Sequence, residues 1–228
     1  MKAAAFDYVK PKALPEALTL LAEGGDDARL IAGGQTLLAT LNMRLSEPSM
    51  LIDITGLAEL QGISLQGNHL RIGALTTHTE IEDSDLVAQH APLLRAAAPH
   101  IAHRAIRNLG TWGGSLAYGD PAAEWPACSL SLNATMIIQG PSGERRISAK
   151  EFFVDLYTTS LEPNEILVAT DIPIASSNQV FYFHELARRH GDYAVAGLAA
   201  VANKQGNTLT DCAFTFFSIA ATPVHLIA

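Results

Sequence analysis

The stretch Arg29-Leu-Ile-Ala-Gly-Gly-Gln-Thr-Leu-Leu38 constrains the fold most, because an apolar run, two glycines and a second apolar run follow one another within ten residues. This pattern predicts a strand, a tight turn and the start of a helix. Glycines at such a junction permit positive φ and let backbone N–H groups approach a ligand closely. The helix N-terminus beyond them adds unpaired donors, which suit a phosphate or pyrophosphate. An ordinary tight βα turn gives the same pattern, so this stretch alone leaves both interpretations open.

A second glycine loop favours the ligand-binding interpretation. It reads Arg107-Asn-Leu-Gly-Thr-Trp-Gly-Gly-Ser-Leu-Ala117. Two such loops in one chain suggest a ligand with two phosphates that is held from two sides. Backbone N–H groups and the hydroxyls of Thr36, Thr111 and Ser115 would supply the hydrogen bonds. Neither loop reads G-x-G-x-x-G, and the sequence contains no G-x-x-x-x-G-K-[ST]. A Rossmann dinucleotide site and a P-loop are therefore not predicted.

Composition excludes several other classes of protein. The net charge of the 228 residues is −8 and no block of Lys or Arg is present, so nucleic acid is not expected as a partner. The only cysteines, Cys128 and Cys212, are far apart in sequence. They are too few for an iron–sulfur cluster and do not suggest a disulfide scaffold. The first residues do not form a signal peptide and no apolar run reaches membrane-spanning length, so a soluble, cytoplasmic protein is expected.

Periodicity and turn residues divide the chain into a small α/β unit, a middle part and a separate antiparallel layer. The first part is a β-α-β-α-β unit that ends near residue 57. Beyond it, the pattern predicts a hairpin over 63–72, a long buried helix over 92–105, a helix over 122–132, strands over 134–138 and 145–148, a helix over 149–156 and a strand over 165–172. The segment 176–178 is the best linker candidate. Three further strands are expected over 180–186, 194–202 and 208–220.

The eight histidines do not suggest a metal site. None follows an H-x-x-x-H or H-E-x-x-H spacing. His100 and His103 would share one face of the predicted long helix, but no further ligand accompanies them. His78 and His90 are expected at the surface.

The two loops and four further segments resemble a known family. The further segments are Asp120-Pro-Ala-Ala-Glu-Trp-Pro126, Glu165-Ile-Leu-Val-Ala-Thr-Asp-Ile-Pro173, Arg188-Arg-His-Gly-Asp-Tyr-Ala194 and Ala221-Thr-Pro-Val224. In this order they resemble the FAD-binding medium subunit of the molybdenum hydroxylases, the relatives of xanthine dehydrogenase and carbon monoxide dehydrogenase. Each segment is weak evidence alone, but the ordered set spans the chain from Phe6 to its end and is specific.

This resemblance implies an α+β fold with a vanillyl-alcohol-oxidase (PCMH)-type FAD-binding domain. The domain would occupy residues 1–175, with one α/β lobe over 1–57, a second over 58–175 and FAD between them. A small C-terminal domain with a three-stranded antiparallel sheet would follow over 179–228. Family members continue past the Thr-Pro-Val segment with helices that cover this sheet. We therefore expect that the sheet is covered by a partner here, or that the chain is truncated relative to the family.

The resemblance also implies the residues that bind the cofactor. The pyrophosphate would lie between two segments, which are Ala32, Gly33, Gly34, Gln35 and Thr36 in the first loop and Thr111, Trp112, Gly113, Gly114 and Ser115 in the second. Trp112 stands where the family usually has a smaller aliphatic residue, which leaves the backbone pattern intact.

Five residues outside the loops complete the implied site. Glu124 matches a carboxylate near the ribose or adenine end of FAD, although a carboxylate in a first helical turn has a structural explanation too. Leu167 matches an apolar contact to the flavin. Tyr193 matches an aromatic residue that can lie over the isoalloxazine, and Asp192 precedes it in the same motif. His184 stands where some relatives carry a lysine near the flavin ring.

The function that the resemblance implies is electron transfer. FAD on this chain would receive electrons from the [2Fe-2S] clusters of a small subunit and pass them to an external acceptor. A large subunit would carry the molybdenum cofactor and select the substrate, and the complex would be a dimer of heterotrimers. No catalytic residue and no metal ligand are expected on this chain. The alternative is a non-redox pyrophosphate-ligand or partner-binding module that kept the fold but lost FAD.

Overall fold

The computed structural model describes residues 2–228 of the chain. The first region is a three-stranded parallel sheet, in the order β1-β3-β2, with two helical crossovers. Its elements are β1 Asp7–Val9, α1 Leu14–Gly24, β2 Ala28–Ile31, α2 Leu37–Asn42 and β3 Met50–Asp53. Helix α1 has a proline in its first turn, buries Ala17 and Leu21 against the sheet, and ends at Gly25, whose φ is +52°. The β-α-β-α-β unit that the sequence predicts is therefore confirmed.

The second region surrounds a five-stranded antiparallel sheet in the order β4-β5-β10-β6-β7. Its strands and helices are β4 Ile63–Gln66, β5 His69–Gly73, α3 His78–Asp83, α4 Asp85–His90, α5 Pro92–Ala97, α6 Arg104–Arg107, α7 Trp112–Tyr118, α8 Glu124–Ser131, β6 Thr135–Gly140, β7 Gly143–Ser148, α9 Ala149–Phe152, β8 Phe153–Asp155, β9 Thr158–Thr159 and β10 Ile166–Pro173. The predicted hairpin is present as β4 and β5, and Gly67 occupies its turn with φ +59°. Three 3₁₀ turns, at Gly25–Asp27, Ala58–Leu60 and Ala98–His100, complete the helical elements.

Two helix predictions in this region are wrong. The helix expected over 92–105 stops as α5 at Ala97, passes through the 3₁₀ turn and resumes as α6 at Arg104. Pro99 cannot donate a backbone hydrogen bond, and Ala102 has φ +43°, so a continuous helix is not possible here. His100 and His103 therefore do not share a helix face. The helix expected over 149–156 ends at Phe152 and the chain continues as strand β8.

The third region is an antiparallel sheet of four strands in the order β11-β12-β13-β14. Its strands are β11 Gln179–Leu186, β12 Ala196–Gln205, β13 Thr208–Phe217 and β14 Val224–Ile227. The sequence predicted three of these strands and missed β14, which is short and follows directly after Pro223. One face of the sheet packs on α5 and α8, so the second and third regions share one core.

Two tryptophans form the centre of that core. Trp112 and Trp125 are fully buried, with ring centroids 5.2 Å apart. Both indole N–H groups are satisfied, since Nε1 of Trp112 donates to Oγ1 of Thr170 and Nε1 of Trp125 donates to Nδ1 of His78, each at 2.9 Å. This packing fixes α7 and α8 side by side and thereby places the second glycine loop. Within residues 2–228, no helix is long and apolar enough to cross a membrane.

Candidate functional site

Both glycine loops line one cavity of about 900 Å³ between the first and second regions. Most of the residues that the resemblance assigned to a cofactor contribute to its wall, although they come from five different parts of the chain. They are Ala32, Gly33, Gly34, Gln35, Thr36, Thr111, Gly113, Gly114, Ser115, Glu124, Leu167, Asp192 and Tyr193. The volume is in the range of a cofactor site.

Two of the predicted site residues do not line this cavity. The side chain of Trp112 points into the core, and its backbone N–H donates to the carbonyl of Thr76 at 2.8 Å. Trp112 therefore anchors the second loop from behind. His184 lies exposed on β11, where its ring is near Tyr182 and faces away from the core. The structure therefore does not bring His184 together with the other predicted site residues.

The glycines of the two loops permit a close approach of backbone to backbone. A Cβ atom on Gly33 would lie 2.0 Å from the carbonyl oxygen of Leu109. The backbone of the first loop therefore rests directly on the first residues of the second loop. A Cβ atom on Gly113 would lie 2.4 Å from the Cβ of Ala74. Any side chain at Gly33 would therefore separate the two halves of the cavity.

The two loops differ in the hydrogen-bond donors that they offer. Within residues 2–228, the N–H groups of residues 33–36 donate no hydrogen bond. In the second loop, by contrast, two N–H groups already donate hydrogen bonds. That of Gly113 donates to the carbonyl of Ala74 at 2.8 Å, and that of Gly114 donates to Oγ1 of Thr111 at 3.2 Å. Thr111 is the N-cap of α7, which explains this second bond. The first loop thus offers a run of backbone donors, and the second contributes hydroxyl groups such as that of Ser115.

Glu124 brings a buried carboxyl group to the cavity wall. It is the first residue of α8 and only 8% exposed. Burial raises its pKa to about 8, and the negative charges of Glu185 and Asp120 contribute to the increase. At neutral pH this carboxyl group is protonated, so it can donate a hydrogen bond to an acceptor in the cavity.

His78 supports the second loop from inside the core, and the prediction that it lies at the surface is wrong. It is 6% exposed, and burial together with the charge of Arg107 lowers its pKa to about 4. The neutral ring accepts the hydrogen bond from Trp125 on Nδ1. Its backbone N–H donates to the carbonyl of Gly110 at 3.0 Å, where a Cβ atom on Gly110 would lie 2.7 Å from the ring. His90, also predicted at the surface, is half-buried at the end of α4.

Sequence reasoning missed an aromatic group at the α7 end of the cavity. Tyr118 and Tyr157 line it beside Tyr193, and the ring centroids of the first two are 5.2 Å apart. Asp120 lines the same end, and burial raises its pKa. No local pattern marks Tyr157, since it occupies a turn with φ +51° between two very short strands. Among residues 2–228, no group of three or more His, Cys, Asp or Glu side chains could hold a metal ion.

Unpaired backbone donors, a buried carboxyl group and an aromatic end in one cavity suit a large ligand that carries both phosphate and aromatic groups. Residues 4–175 match the family described as "FAD binding domain in molybdopterin dehydrogenase". The chain belongs to this family of FAD-binding subunits of molybdenum hydroxylases, and its relatives are dehydrogenase subunits.

Two relatives and two solved structures illustrate the similarity. The α subunit of the 6-hydroxypseudooxynicotine dehydrogenase complex of Paenarthrobacter nicotinovorans is 45% identical over 88% of this chain and 68% of its own length. The carbon monoxide dehydrogenase medium chain of Hydrogenophaga pseudoflava is 39% identical over 96% of this chain and 77% of its own length. A solved structure of the carbon monoxide dehydrogenase of that organism superposes with a TM-score of 0.97, at 38% identity, over 99% of this chain and 78% of its own. The structure of quinoline 2-oxidoreductase from Pseudomonas putida 86 superposes with a TM-score of 0.93, at 40% identity, over 99% of this chain and 78% of its own.

Proposed function

We propose that the chain is the FAD-carrying electron-transfer subunit of a heteromeric molybdenum hydroxylase, which receives electrons from [2Fe-2S] clusters and passes them to an external acceptor. The observation that carries the proposal is the convergence of both glycine loops on one cavity, in a chain of this family. When bound, FAD would supply the redox chemistry, because it can exchange both one and two electrons. The residues of this chain bind, orient and shield it.

We assign the pyrophosphate to the space between the two loops. The four N–H groups of residues 33–36 are free to donate to anionic oxygens, and the hydroxyls of Thr36, Thr111 and Ser115 border the same space. Hydrogen bonds to charged groups are worth about 1.5–3 kcal/mol each, so a few of them hold a pyrophosphate firmly. Gln35 is fixed by its own side chain, whose Nε2 donates to the carbonyl of Gly33 at 2.8 Å.

We assign the remaining wall to the other parts of FAD. Protonated Glu124 would donate to a polar atom of the ribose or adenine end, and Leu167 would provide an apolar contact to the flavin. Tyr193 is 68% exposed at the cavity edge, which leaves its ring free to cover the isoalloxazine, with Asp192 beside it. We also propose that residues 1–175 form the FAD-binding domain, with FAD between its lobes 1–57 and 58–175, and that residues 179–228 form a separate C-terminal domain.

The partners in this proposal are an iron–sulfur small subunit and a molybdenum-cofactor large subunit, arranged as a dimer of heterotrimers. The names of the relatives support the part of this proposal that makes the chain one subunit of a larger complex, since they are called medium chains or complex subunits. A reducing cytoplasmic location agrees with the free thiols of Cys128 and Cys212. The outward face of the four-stranded sheet is apolar and exposed, and we propose that it is covered in the assembled protein.

The decisive experiment on the cofactor is an absorption spectrum of the purified chain, followed by acid release of the chromophore. We expect flavin bands and release of FAD. A colourless chain that also fails to take up added FAD would refute the redox role and favour the alternative of a non-redox binding module, which no other observation supports.

Electron transfer is tested in the complex that copurifies with the chain. Substrate should reduce the iron–sulfur clusters whether or not FAD is present, whereas reduction of the external acceptor should require FAD. The matched comparison is a complex whose medium subunit carries Gly33→Ala. Equal acceptor reduction by both complexes would contradict the proposed role.

A further inference from the structure

Glu185 is a buried carboxylate that the cavity does not explain. It lies on the inward face of β11, two residues before the chain leaves the sheet, and is 9% exposed. Its Oε1 is 3.5 Å from Nδ1 of His100, and its Oε2 has no hydrogen-bond partner within residues 2–228. An unpaired buried carboxylate oxygen destabilises a fold, and an uncharged side chain of similar size would avoid that cost. Its presence therefore points to a purpose other than global stability.

The segment between β11 and β12 forms part of the cavity wall. We call residues 187–194 the arm. It is closed at its base by a hydrogen bond from the N–H of Val195 to the carbonyl of Leu186 at 2.7 Å. Gly191, Asp192 and Tyr193 at its far end line the cavity. The position of this wall therefore depends on what holds the arm.

A single segment of the second region contacts the middle of the arm at two neighbouring residues, His190 and Gly191. Gly191, with φ +85°, rests on Ala102, where a Cβ atom would lie 2.9 Å from the carbonyl oxygen. At the preceding residue, the ring centroid of His190 is 5.9 Å from that of His100. His100 thus lies beside both His190 in the arm and Glu185 on β11, close to where the arm begins.

That segment is itself held rigidly. Arg107 is buried and donates from Nη1 to the carbonyls of Ile101 and Ala102, at 2.9 and 3.0 Å, while its Nε donates to Glu82 at 2.8 Å. The turn that includes His100 is therefore anchored to α3 and α6 and forms a fixed support.

We infer that Glu185 and His100 form a latch that fixes the base of the arm to this support, so that Glu185 is a positioning residue for the flavin-binding wall formed by Asp192 and Tyr193. The latch acts on FAD only through the arm, since neither residue lines the cavity. This inference rests on the proposed function for its consequence, but the geometry of the latch itself belongs to the chain without FAD. The other titratable groups close enough to influence the charges of the latch are His190, Glu124 and, from the opposite face of β11, His184.

Trypsin provides a readout of the arm that does not depend on FAD. Arg188 and Arg189 lie exposed within the arm, and Arg44 lies exposed in a turn of the first region and serves as an internal reference. In the FAD-free chain, Glu185→Gln and His100→Gln should each increase cleavage at Arg188 and Arg189 about fivefold relative to cleavage at Arg44. The double variant should show no more than either single one, because residues in contact are not additive.

The second readout is the dissociation constant of FAD, which each variant should raise about fivefold, again without additivity in the double variant. Asp171→Asn is the matched control, because Asp171 is also a buried acidic residue on a strand but lies on β10 and pairs with Arg71. It should change neither the ratio of cleavage rates nor the affinity for FAD.

Three outcomes of these experiments would contradict the latch. An unchanged cleavage ratio in both single variants, additive effects in the double variant, or an equal change in Asp171→Asn would overturn the inference. If the wild-type chain does not bind FAD, the proposed function fails, and the cleavage ratios still decide whether the latch exists.

Discussion

At the scale of single residues, Gly33 is the position where a small change should have the largest effect on the cofactor site. In Gly33→Ala the added Cβ would meet the carbonyl oxygen of Leu109 at 2.0 Å, and that oxygen belongs to backbone that cannot rotate away. The loops must separate, which removes the donors from their common target. We expect loss of flavin absorption from the purified variant and a decrease of about 1–3 kcal/mol in the free energy of unfolding.

The control for this substitution is Gly56→Ala. Among residues 2–228, and apart from its chain neighbours, a Cβ at Gly56 would meet only the flexible Cε of Lys10, at 3.2 Å. This variant should retain its FAD and unfold near the wild-type temperature. Loss of FAD from both variants would show that the effect does not come from the contact between the loops.

Glu124 gives a prediction about pH. Its ordinary pKa of 4.5 is raised to about 8 in the folded chain, so between these values the folded state holds a proton that the unfolded state has released. Stability is therefore highest at low pH for this group and is lost as the pH rises toward 8. Between pH 6.5 and 8 the loss is about 2 kcal/mol, which lowers the unfolding temperature by roughly 4–8 °C.

The experiment compares unfolding temperatures of the FAD-free chain at pH 6.5 and 8. Glu124→Gln should remove most of the decrease, because the amide keeps the shape without titrating. Histidines with lowered pKa values, such as His78 at about 4, act in the opposite direction, mainly below their ordinary value of 6.5 and weakly up to about one pH unit above it. Exposed Glu23 provides the control substitution Glu23→Gln, which should leave the decrease unchanged. A pH profile of Glu124→Gln that matches the wild type would contradict this assignment.

The residues of the two loops could be predicted from sequence because their signal is local: glycines, hydroxyls and apolar runs stand next to one another. Tyr157 and the latch residues Glu185 and His100 have no such signal. Their position depends on which elements pack together, so a carboxylate one residue from the end of a strand is predicted to lie at the surface. His78 was misjudged for the same reason, since its burial is set by Trp125, which lies 47 residues away in sequence.

At the scale of elements, the outward face of the C-terminal sheet is the most unusual surface. Tyr182 and Leu186 on β11 and Leu226 on β14 are 57%, 63% and 53% exposed, and the cross-strand register places Tyr182 and Leu226 in one row with Ala200 and Phe214. A contiguous apolar face of this kind marks an interaction surface.

We expect the isolated chain to bind a fluorescent dye that reports apolar surface. Leu186→Thr combined with Leu226→Thr should reduce the fluorescence at least about twofold, since threonine favours strands but is polar. Leu65→Thr, at an exposed leucine on β4, is the matched control and should have little effect. A dye signal that is equally sensitive to Leu65→Thr would place the apolar surface elsewhere.

The elements differ in how well sequence predicted them. Strands with apolar cores and glycine turns, such as the hairpin of β4 and β5, were predicted because pattern and turn residue agree. The helix expected over 92–105 failed because alanine and leucine continue through a region where Pro99 and the positive φ of Ala102 interrupt the backbone. Strand β14 was missed because four residues carry too little periodicity to be distinguished from a loop.

At the scale of the whole molecule, the cavity joins two regions that otherwise have separate cores. One hydrophobic cluster is centred on the first sheet and a larger one on the two antiparallel sheets. The first loop belongs to the region of β1–β3 and the second to the region of α7. A ligand that bridges both loops therefore couples the two regions, and its binding free energy adds to the stability of the whole chain.

FAD should accordingly stabilise the FAD-free chain as one unit. At a free concentration of 100 times the dissociation constant, the gain is about 2.7 kcal/mol, whereas a mononucleotide that reaches only one loop should give less at the same concentration. Amide hydrogen exchange shows which residues FAD stabilises. FAD should slow exchange both in residues 33–36 and at the start of α7. The same experiment on Gly33→Ala should show neither effect. Protection confined to one loop would mean that the ligand binds one region alone, because a bridging pyrophosphate cannot order one loop without the other.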